Sequence, residues 1–346
     1  MYFFKSIINK FPMFIYFINN LQGCSIMSDK IKEEIINDIL DEKNKNIAIT
    51  MHSGPDGDAI GSSLALEQAL KLLNKSVDII FHNKVPEDYS FLVGNNRINK
   101  VIKPKKYYDL VFLLDCADPF RTVEDISKLG KKIITIDHHK NCKPFGNVYL
   151  FEDLSSTGMI IYDIIKDLVE IDSFIATCIY LTIRSDTGSF KNNNTTPYTH
   201  KLAALLLEKG ANIELINTIC ENKSLSLLKL IGEVSYNIIY DKKYSIIYLM
   251  IKKEHIKNAN SNYEEALTLI DYIKNINNAQ ISYLFIENNE HIKVKARSKS
   301  VNVNKILVNF GGGGHDTAAG CSIYSKDIYR VANTIIESTK EYINNK

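Results

Sequence analysis

The sequence predicts an α/β protein with two domains: an N-terminal domain with a mostly parallel β-sheet flanked by helices, and a smaller α/β C-terminal domain. The chain has 346 residues, 45% of them hydrophobic, which is enough for two sizeable cores. Short, almost wholly apolar runs alternate with helical patterns from about residue 30 to 215. Beyond residues 216–240 the pattern changes to longer strand-like runs and a glycine-rich segment.

Four apolar runs predict the strands of the N-terminal sheet. Runs without a polar face are typical of parallel strands that are buried on both sides. Between the first two runs, Leu66, Ala69, Leu70 and Leu73 fall on one helical stripe, so the segment predicts a βαβ unit. A longer helical stretch is expected at about 155–207. The strands are predicted at 46–51, 76–81, 109–115 and 132–137.

A different set of runs predicts the second domain. Residues 243–253, 279–287 and 291–298 are strand-like, and "NFGGGGHDTAAG" follows them. The expected organisation is a leader at 1–26, a first domain at 27–215, a linker region at 216–240 and a second domain at 241–346.

The leader is apolar and aromatic, but Lys5, Lys10 and Pro12 interrupt it. A membrane span needs about 20 consecutive apolar residues, so no stable membrane insertion is expected. We favour a mis-assigned upstream start or a disordered leader, with a weak membrane-surface anchor as the alternative. Met27 would be a natural start.

The overall charge narrows the classes of partner. A formal net charge of +2, with 24% charged residues, argues against extended wrapping by nucleic acid, so an anionic ligand must be held locally. The six cysteines are scattered and form no C-x-x-C pair. This usage predicts a reduced, cytoplasmic protein without a structural zinc site.

Ligand-type side chains follow the ends of three predicted strands. The carboxyl ends of parallel strands meet at one edge of a sheet, so residues distant in sequence can gather there. One further candidate lies in "TIRSDTGSF" within the helical stretch. The candidates are His52, Asp56 and Asp58 after the first strand, Asp115 at the end of the third, His138 and His139 at the end of the fourth, and Asp186.

Carboxylates and imidazoles without thiolates suit Mn²⁺ or a similar hard to borderline ion. The candidates are numerous enough for two ions, which would lie about 3.5–4 Å apart and share a bridging carboxylate. Asp115 is the expected bridge. Each residue also has a structural interpretation: Asp58 could cap the next helix, Asp115 could be a turn residue, and either histidine could be an ordinary surface side chain. We favour the metal site because all of the candidates fall on compatible edges of one sheet.

Six motifs in a fixed order carry a resemblance to a known family. They are "HSGPDGDAIGS", "LLDCADPFR", "TIDHHKN", "SSTG", "RSDTGSF" and "GGGGHDTAAG". The chain resembles the DHH phosphoesterase superfamily with its DHH-associated C-terminal domain, in particular the stand-alone oligoribonuclease and 3′-phosphoadenosine 5′-phosphate (PAP) phosphatase branch. The resemblance covers about residues 30–335.

The resemblance implies an active site in the cleft between the two domains and two divalent ions, Mn²⁺ by preference, with Mg²⁺ or Co²⁺ as alternatives. A hydroxide held between the ions would attack the phosphorus. Asp115 and His139 are thereby the expected catalytic residues. His52 and Asp56 would hold one ion, Asp58, His138 and Asp186 the other, with Asp115 as the bridge and His139 facing the substrate phosphate.

Substrate binding is expected from the second domain and from one arginine of the first. Consecutive glycines let backbone N–H groups approach an anion, although a glycine run is more often a flexible loop. Arg121 could anchor a phosphate or pair with Asp118. Arg297 could be an exposed strand charge and His315 an ordinary loop residue. The predicted substrate-binding residues are Arg121, Arg297, Gly312, Gly313, Gly314 and His315.

The predicted function is metal-dependent hydrolysis of short oligoribonucleotides to mononucleotides, of PAP to AMP, or of both. Short RNA or nucleoside bisphosphates are the expected partners, no groove for long nucleic acid is expected, and a homodimer is one possible assembly. The alternatives are a phosphodiesterase for the linear dinucleotide pApA, a manganese inorganic pyrophosphatase, a RecJ-like single-strand exonuclease and a non-catalytic nucleotide-binding module.

Three positions depart from the family pattern. Gly54 stands where asparagine is common, Met159 where glutamate often follows "SSTG", and Thr182 where glycine is frequent. None is an expected ligand, so the departures bear on the pocket and on substrate preference.

Overall fold

The computed structural model describes residues 27–81, 85, 87–93, 107–116, 118, 121–122, 125–139, 144–221, 223–276 and 278–345. The predicted leader at 1–26 lies outside these residues. The chain divides into two compact units, residues 1–222 and 223–346. No helix among the described residues is long and apolar enough to cross a membrane.

The first unit is built on a parallel sheet of five strands in the order β2-β1-β3-β4-β5, and its predicted fold class is confirmed. The four predicted strands lie within a residue or two of their expected bounds, and the short β5 was not predicted. Its elements are α1 (27–40), β1 (Asn46–Met51), α2 (Gly57–Leu72), β2 (Ser76–Ile80), α3 (Ser90–Val93), β3 (Tyr108–Leu114), β4 (Gly130–Asp137), β5 (Val148–Phe151), α4 (Thr157–Ile165), α5 (Ser173–Asp186), α6 (Pro197–Glu208) and α7 (Ile213–Glu221).

The helices of this unit share one large apolar core with a face of the sheet. A smaller cluster on the other face includes Val111 and Leu113 of β3, Ile126 and Leu129. Since the sheet is buried on both faces, its strands are nearly continuous apolar runs, as the sequence predicts.

Two glycines bring α2 and α4 unusually close to α5. A Cβ at Gly61 of α2 would lie 2.6 Å from the carbonyl oxygen of Cys178, and one at Gly158 of α4 would lie 2.1 Å from Oγ1 of Thr182. Thr182 therefore fills the space that the missing side chains leave. This close packing fixes the first turn of α2 and that of α4 near the carboxyl edge of the sheet.

The second unit contains a six-stranded sheet in the order β10-β11-β9-β8-β7-β6. Among the described strands of this sheet, β7 and β8 pair in parallel and the other neighbours are antiparallel. Two clusters of buried apolar residues pack against this sheet. Its elements are α8 (Leu225–Ser235), β6 (Ile239–Asp241), β7 (Ile246–Ile251), α9 (Lys253–Asn258), α10 (Tyr263–Thr268), α11 (Ile270–Ile273), β8 (Ile281–Glu287), β9 (His291–Ser298), α12 (Val303–Leu307), β10 (Gly313–His315), β11 (Ala318–Tyr324) and α13 (Ile328–Asn344).

The glycine run is partly a strand, so its interpretation as a flexible loop is wrong. Gly313, Gly314 and His315 form the edge strand β10, in which Gly314 pairs with Ala319. The backbone of Gly314 has φ +144°, and a Cβ there would lie 2.5 Å from the carbonyl oxygen of Ala318. Glycine is therefore required at this position for the strand to pair.

Candidate metal centre

All seven candidate residues meet at the carboxyl edge of the first sheet, and the atoms that could bind metal fall into two main groups. Within each group these atoms lie within 4.8 Å of one another. His52, Asp56 and Asp115 form the first group, and Asp58, His138 and Asp186 form the second; Asp115, His138 and His139 form an overlapping third combination.

The first group sits where β1 turns into α2. Nε2 of His52 lies 3.9 Å from Oδ2 of Asp115. Asp56 is the N-cap of α2, because its Oδ1 accepts the backbone N–H groups of Asp58 and Ala59 at 3.0 and 3.2 Å. The interpretation of Asp58 as the helix cap is therefore wrong, and Asp58 points into the cluster instead.

The second group surrounds the imidazole of His138. Its Nε2 lies 2.9 Å from Oδ2 of Asp186 and 3.6 Å from Oδ2 of Asp58. Its Nδ1 lies 3.2 Å from the carbonyl oxygen of Leu154, which makes Nδ1 the protonated nitrogen of the neutral ring. The lone pair of Nε2 then faces the carboxylates.

Asp115 lies between the two groups. It follows the last residue of β3 and has a left-handed backbone, with φ +52°, which is uncommon for a residue with a side chain. Its Oδ1 lies 3.6 Å from Nε2 of His138, whereas Oδ2 is the oxygen nearest to His52. The two oxygens of one carboxylate thus face different groups.

The electrostatics of the cluster call for a cation. Burial, and then the neighbouring charge of Asp115, raise the pKa of Asp58 well above its usual value. Burial, and then the charges of Asp56 and Asp186, raise the pKa of Asp115 to about 7. Buried carboxylates this close together cannot all be ionised unless positive charge compensates them.

The two histidines respond in opposite directions. Burial and the guanidinium of Arg121 lower the pKa of His52, which keeps this imidazole neutral and available as a ligand. Burial alone would lower the pKa of His138, but the close carboxylate of Asp186 outweighs it and raises this pKa to about 9. A proton on His138 thus takes the place of a cation in the metal-free cluster.

The residues fit a divalent ion. Nε2 of His138 is buried and lies 2.9 Å from Oδ2 of Asp186. Adjacent ligand atoms of an octahedral ion with bonds of about 2.1 Å lie about 3 Å apart, which matches this spacing. A buried imidazole nitrogen among carboxylate oxygens is a donor set for a cation.

Comparison with known proteins gives the family. The N-terminal domain of the DHH family matches residues 46–183, and the DHHA1 domain matches residues 243–344. The chain is 30% identical over 289 residues to the bifunctional oligoribonuclease and PAP phosphatase NrnA of Bacillus subtilis, with 81% of this chain and 90% of the relative covered. The chain belongs to the DHH family. It is therefore a phosphoric ester hydrolase, and DHH phosphoesterases depend on metal ions.

Two further proteins share most of their length with this DHH phosphoesterase. The bifunctional oligoribonuclease and PAP phosphatase NrnA of Thermus thermophilus is 28% identical over 313 residues, covering 90% of this chain and 94% of the relative. The crystal structure of an exopolyphosphatase-related protein from Bacteroides fragilis superposes with a TM-score of 0.82 at 26% identity, covering 91% of this chain and 96% of that one.

Three departures from the DHH pattern have different surroundings. Gly54 is exposed, and a Cβ there would contact nothing within 4 Å. Met159 is fully buried in the large core, where an ionisable side chain would be costly. Thr182 occupies the space beside Gly61 and Gly158.

The predicted substrate-binding residues lie in two places. The exposed Arg121 has one guanidinium nitrogen 3.4 Å from Nδ1 of His52, and its backbone N–H bonds to the carbonyl oxygen of Asp118. In the second unit, Arg297 of β9 and His315 of β10 both lie opposite Ala318. Directly opposed residues point to the same face of a sheet, so the side chains of Arg297 and His315 lie on either side of Ala318. Their backbones are two strand spacings apart, about 9.5 Å.

Two other residues with contacts at the metal centre were not predicted. Asp137 bonds to His139, and Thr157 bonds to two of the cluster carboxylates. The Asp137–His139 contact spans only two positions within the motif "DHH", so the sequence offered a local signal for it. The contacts of Thr157, in the motif "SSTG", depend on tertiary placement, which a motif does not display.

Proposed function

We propose that this DHH phosphoesterase hydrolyses short oligoribonucleotides to mononucleotides and PAP to AMP, using two divalent ions held by the carboxylate cluster. The observation that carries the proposal is Asp115, whose two oxygens face two separate groups of ligand-type side chains. The relatives named as oligoribonuclease and PAP phosphatase supply the substrate class.

The assignment of ligands follows the two groups. We assign His52 and Asp56 to one ion, Asp58, His138 and Asp186 to the other, and Asp115 to both. The oxygen and nitrogen donors favour Mn²⁺. When bound, the ions would supply positive charge for the phosphoryl oxygens and a water whose pKa falls from about 15.7 towards about 7.

His139 is the proposed proton donor. A hydrogen bond to Asp137 raises the pKa of His139, so the charged imidazolium is favoured. With Nδ1 bonded to Asp137, the Nε2–H is the group that can reach a phosphoryl oxygen or protonate the leaving group. The side chain is 40% exposed, which leaves it accessible to a substrate.

The remaining residues would hold the nucleotide. Arg121 stands beside His52 at the edge of the cluster and suits a non-reacting phosphate. Arg297, His315 and the backbone of Gly313 and Gly314 would hold the rest of the substrate, whereas the N–H of Gly312 already donates to the carbonyl oxygen of Leu307 at 3.0 Å. A few such contacts suit a substrate of a few nucleotides, and a formal net charge of +2 agrees with this limit. A cytoplasmic location is part of the same proposal.

One assay series tests the proposal. The purified, full-length protein with Mn²⁺ is offered 5′-labelled RNA of two to five nucleotides, PAP, pApA, pyrophosphate and single-stranded DNA. We expect mononucleotides from the short RNA and AMP from PAP, with no turnover in excess chelator. Hydrolysis of pyrophosphate alone, or of long DNA in preference to short RNA, would contradict the proposal.

A further inference from the structure

The first turn of α4 is bonded to carboxylates from other parts of the chain. The residue before the helix, Ser156, does not cap it with its side chain, and its hydroxyl instead lies 3.0 Å from that of Thr182. The N–H groups of Thr157 and Gly158 donate to Oδ2 and Oδ1 of Asp58 at 2.7 and 3.0 Å. Asp58 therefore replaces the missing cap and gains the favourable field of the helix N-terminus.

The side chain of Thr157 makes a second connection. Its hydroxyl donates to Oδ1 of Asp115 at 3.2 Å, and the residue is fully buried. One residue thus bonds to two carboxylates that come from the first turn of α2 and from the end of β3. Both carboxylates belong to the proposed metal centre, one in each of the two groups.

The hydroxyl bond has a specific consequence for Asp115. The left-handed backbone of Asp115 sets an uncommon direction for its side chain, and Thr157 engages one of its two oxygens. That oxygen is the one 3.6 Å from Nε2 of His138, which leaves Oδ2 facing His52. The hydroxyl therefore favours the rotation of the carboxylate in which each oxygen faces a different group.

We propose that Thr157 is a positioning residue for the metal centre: its N–H and hydroxyl hold Asp58 and Asp115 in the orientation that binds two ions. This inference rests on the proposed two-ion function. Removal of a hydrogen-bonding partner of a metal ligand commonly weakens metal affinity about 10- to 100-fold.

The test compares the affinity of Mn²⁺ for full-length variants by isothermal titration calorimetry after chelator treatment. Thr157→Val keeps the shape of the side chain and removes the hydroxyl, so its Kd for Mn²⁺ should rise about 10- to 100-fold. Thr157→Ser keeps the hydroxyl and should bind like the wild type. If Thr157→Val does not fold, Thr157→Ala replaces it with the same expectation.

The control is Thr177→Val. Thr177 is also buried, but its hydroxyl bonds to backbone groups of Ser173 and Asn212. We expect the two valine variants to lower the melting temperature of the metal-free protein similarly, while only Thr157→Val loses Mn²⁺ affinity. Wild-type affinity in Thr157→Val, or an equal loss in Thr157→Ser, would overturn the inference.

The same experiment separates this inference from the proposed function. Metal affinity is measured without substrate, so a wild-type protein that binds Mn²⁺ but cleaves neither short RNA nor PAP would refute the function alone. An active wild type whose Mn²⁺ affinity does not depend on the Thr157 hydroxyl would refute the positioning role alone.

Discussion

The carboxylate of Asp137 contacts His139 twice: its Oδ1 lies 2.7 Å from Nδ1 of the imidazole and accepts the backbone N–H of the same residue at 2.9 Å. Asp137 is fully buried at the end of β4. A buried carboxylate bonded to one ring nitrogen fixes the tautomer and orientation of the ring. The other nitrogen, Nε2, is therefore the one that can act on a substrate.

Replacing this carboxylate should weaken proton donation. In Asp137→Asn the shape is kept but the charge that favours the imidazolium is lost, so we expect kcat to fall about 10- to 100-fold. The pKa of His139 should also fall, because the charge of Asp137 no longer stabilises the imidazolium. The alkaline limb of the kcat–pH profile should therefore move to lower pH. Mn²⁺ affinity should stay close to that of the wild type. The control is Asp109→Asn, near the start of β3 and away from the site. An unchanged pH profile in Asp137→Asn would contradict the proton-donor role.

The metal-free protein should lose stability as the pH rises. The pKa of Asp115 is about 7 in the folded protein, above that of an unfolded aspartate, so the folded state holds this proton more tightly. The free energy of unfolding therefore falls as the pH rises from about 4 to 7. The raised pKa of His138, about 9, contributes stability that is complete below about pH 6.5 and is lost as the pH rises through 9. Both effects have the same sign, whereas the lowered pKa of His52 acts in the opposite direction up to about pH 6.5, so the decline should be clearest above that pH.

The measurement is thermal melting of chelator-treated protein from pH 5 to 9. We expect the melting temperature to decline with pH in the metal-free protein, and the stabilisation by added Mn²⁺ to grow over the same range, because metal binding displaces these protons. A metal-free protein that becomes more stable between pH 5 and 9 would contradict the electrostatic account of the cluster.

The close approach of α4 and α5 predicts a coupled pair of substitutions. In Gly158→Ala the new Cβ would lie 2.1 Å from Oγ1 of Thr182, so we expect the free energy of unfolding to fall by about 1–3 kcal/mol. Thr182→Gly removes the clash and should restore part of this loss in the double variant. Denaturant unfolding of the four proteins in a double-mutant cycle measures the coupling. Additive effects would show that the two residues do not compete for space.

Substitutions in the second unit should affect nucleotides more than small esters. Loss of a charge-assisted hydrogen bond costs about 1.5–3 kcal/mol, so Arg297→Ala and His315→Ala should each lower kcat/KM on short RNA about 10- to 100-fold. Bis-p-nitrophenyl phosphate offers little for this unit to hold and should be hydrolysed almost as before. Arg330→Ala, at an exposed position of α13, is the control. An equal loss on both substrates would contradict the assignment of these residues to nucleotide binding.

Much of the first unit follows from local sequence patterns. Its buried parallel strands are continuous apolar runs, and the ligand-type residues follow the strand ends, so their meeting at one edge could be predicted. The glycine run was harder, because pairing with β11 and not local preference makes Gly313–His315 a strand. Local chemistry also suggested that Asp58 caps α2, whereas Asp56 does so and tertiary bonds from α4 hold Asp58.

The supporting contacts of the site could not be predicted from the sequence. Thr157 reaches Asp58 across 99 positions and Asp115 across 42, and neither separation leaves a local pattern. The left-handed backbone of Asp115 could not be predicted either, because aspartate is found in many backbone conformations. Such features become visible only when the helices are packed.

The central claim is that one carboxylate cluster holds two divalent ions bridged by Asp115. It is tested most directly by titrating the metal-free protein with Mn²⁺ and following the bound ions by electron paramagnetic resonance. We predict two Mn²⁺ per chain with a spin-coupled signal at saturation, because bridged ions lie about 3.5–4 Å apart, and loss of the coupled signal in Asp115→Ala. One bound ion, or two ions without magnetic coupling, would contradict the account.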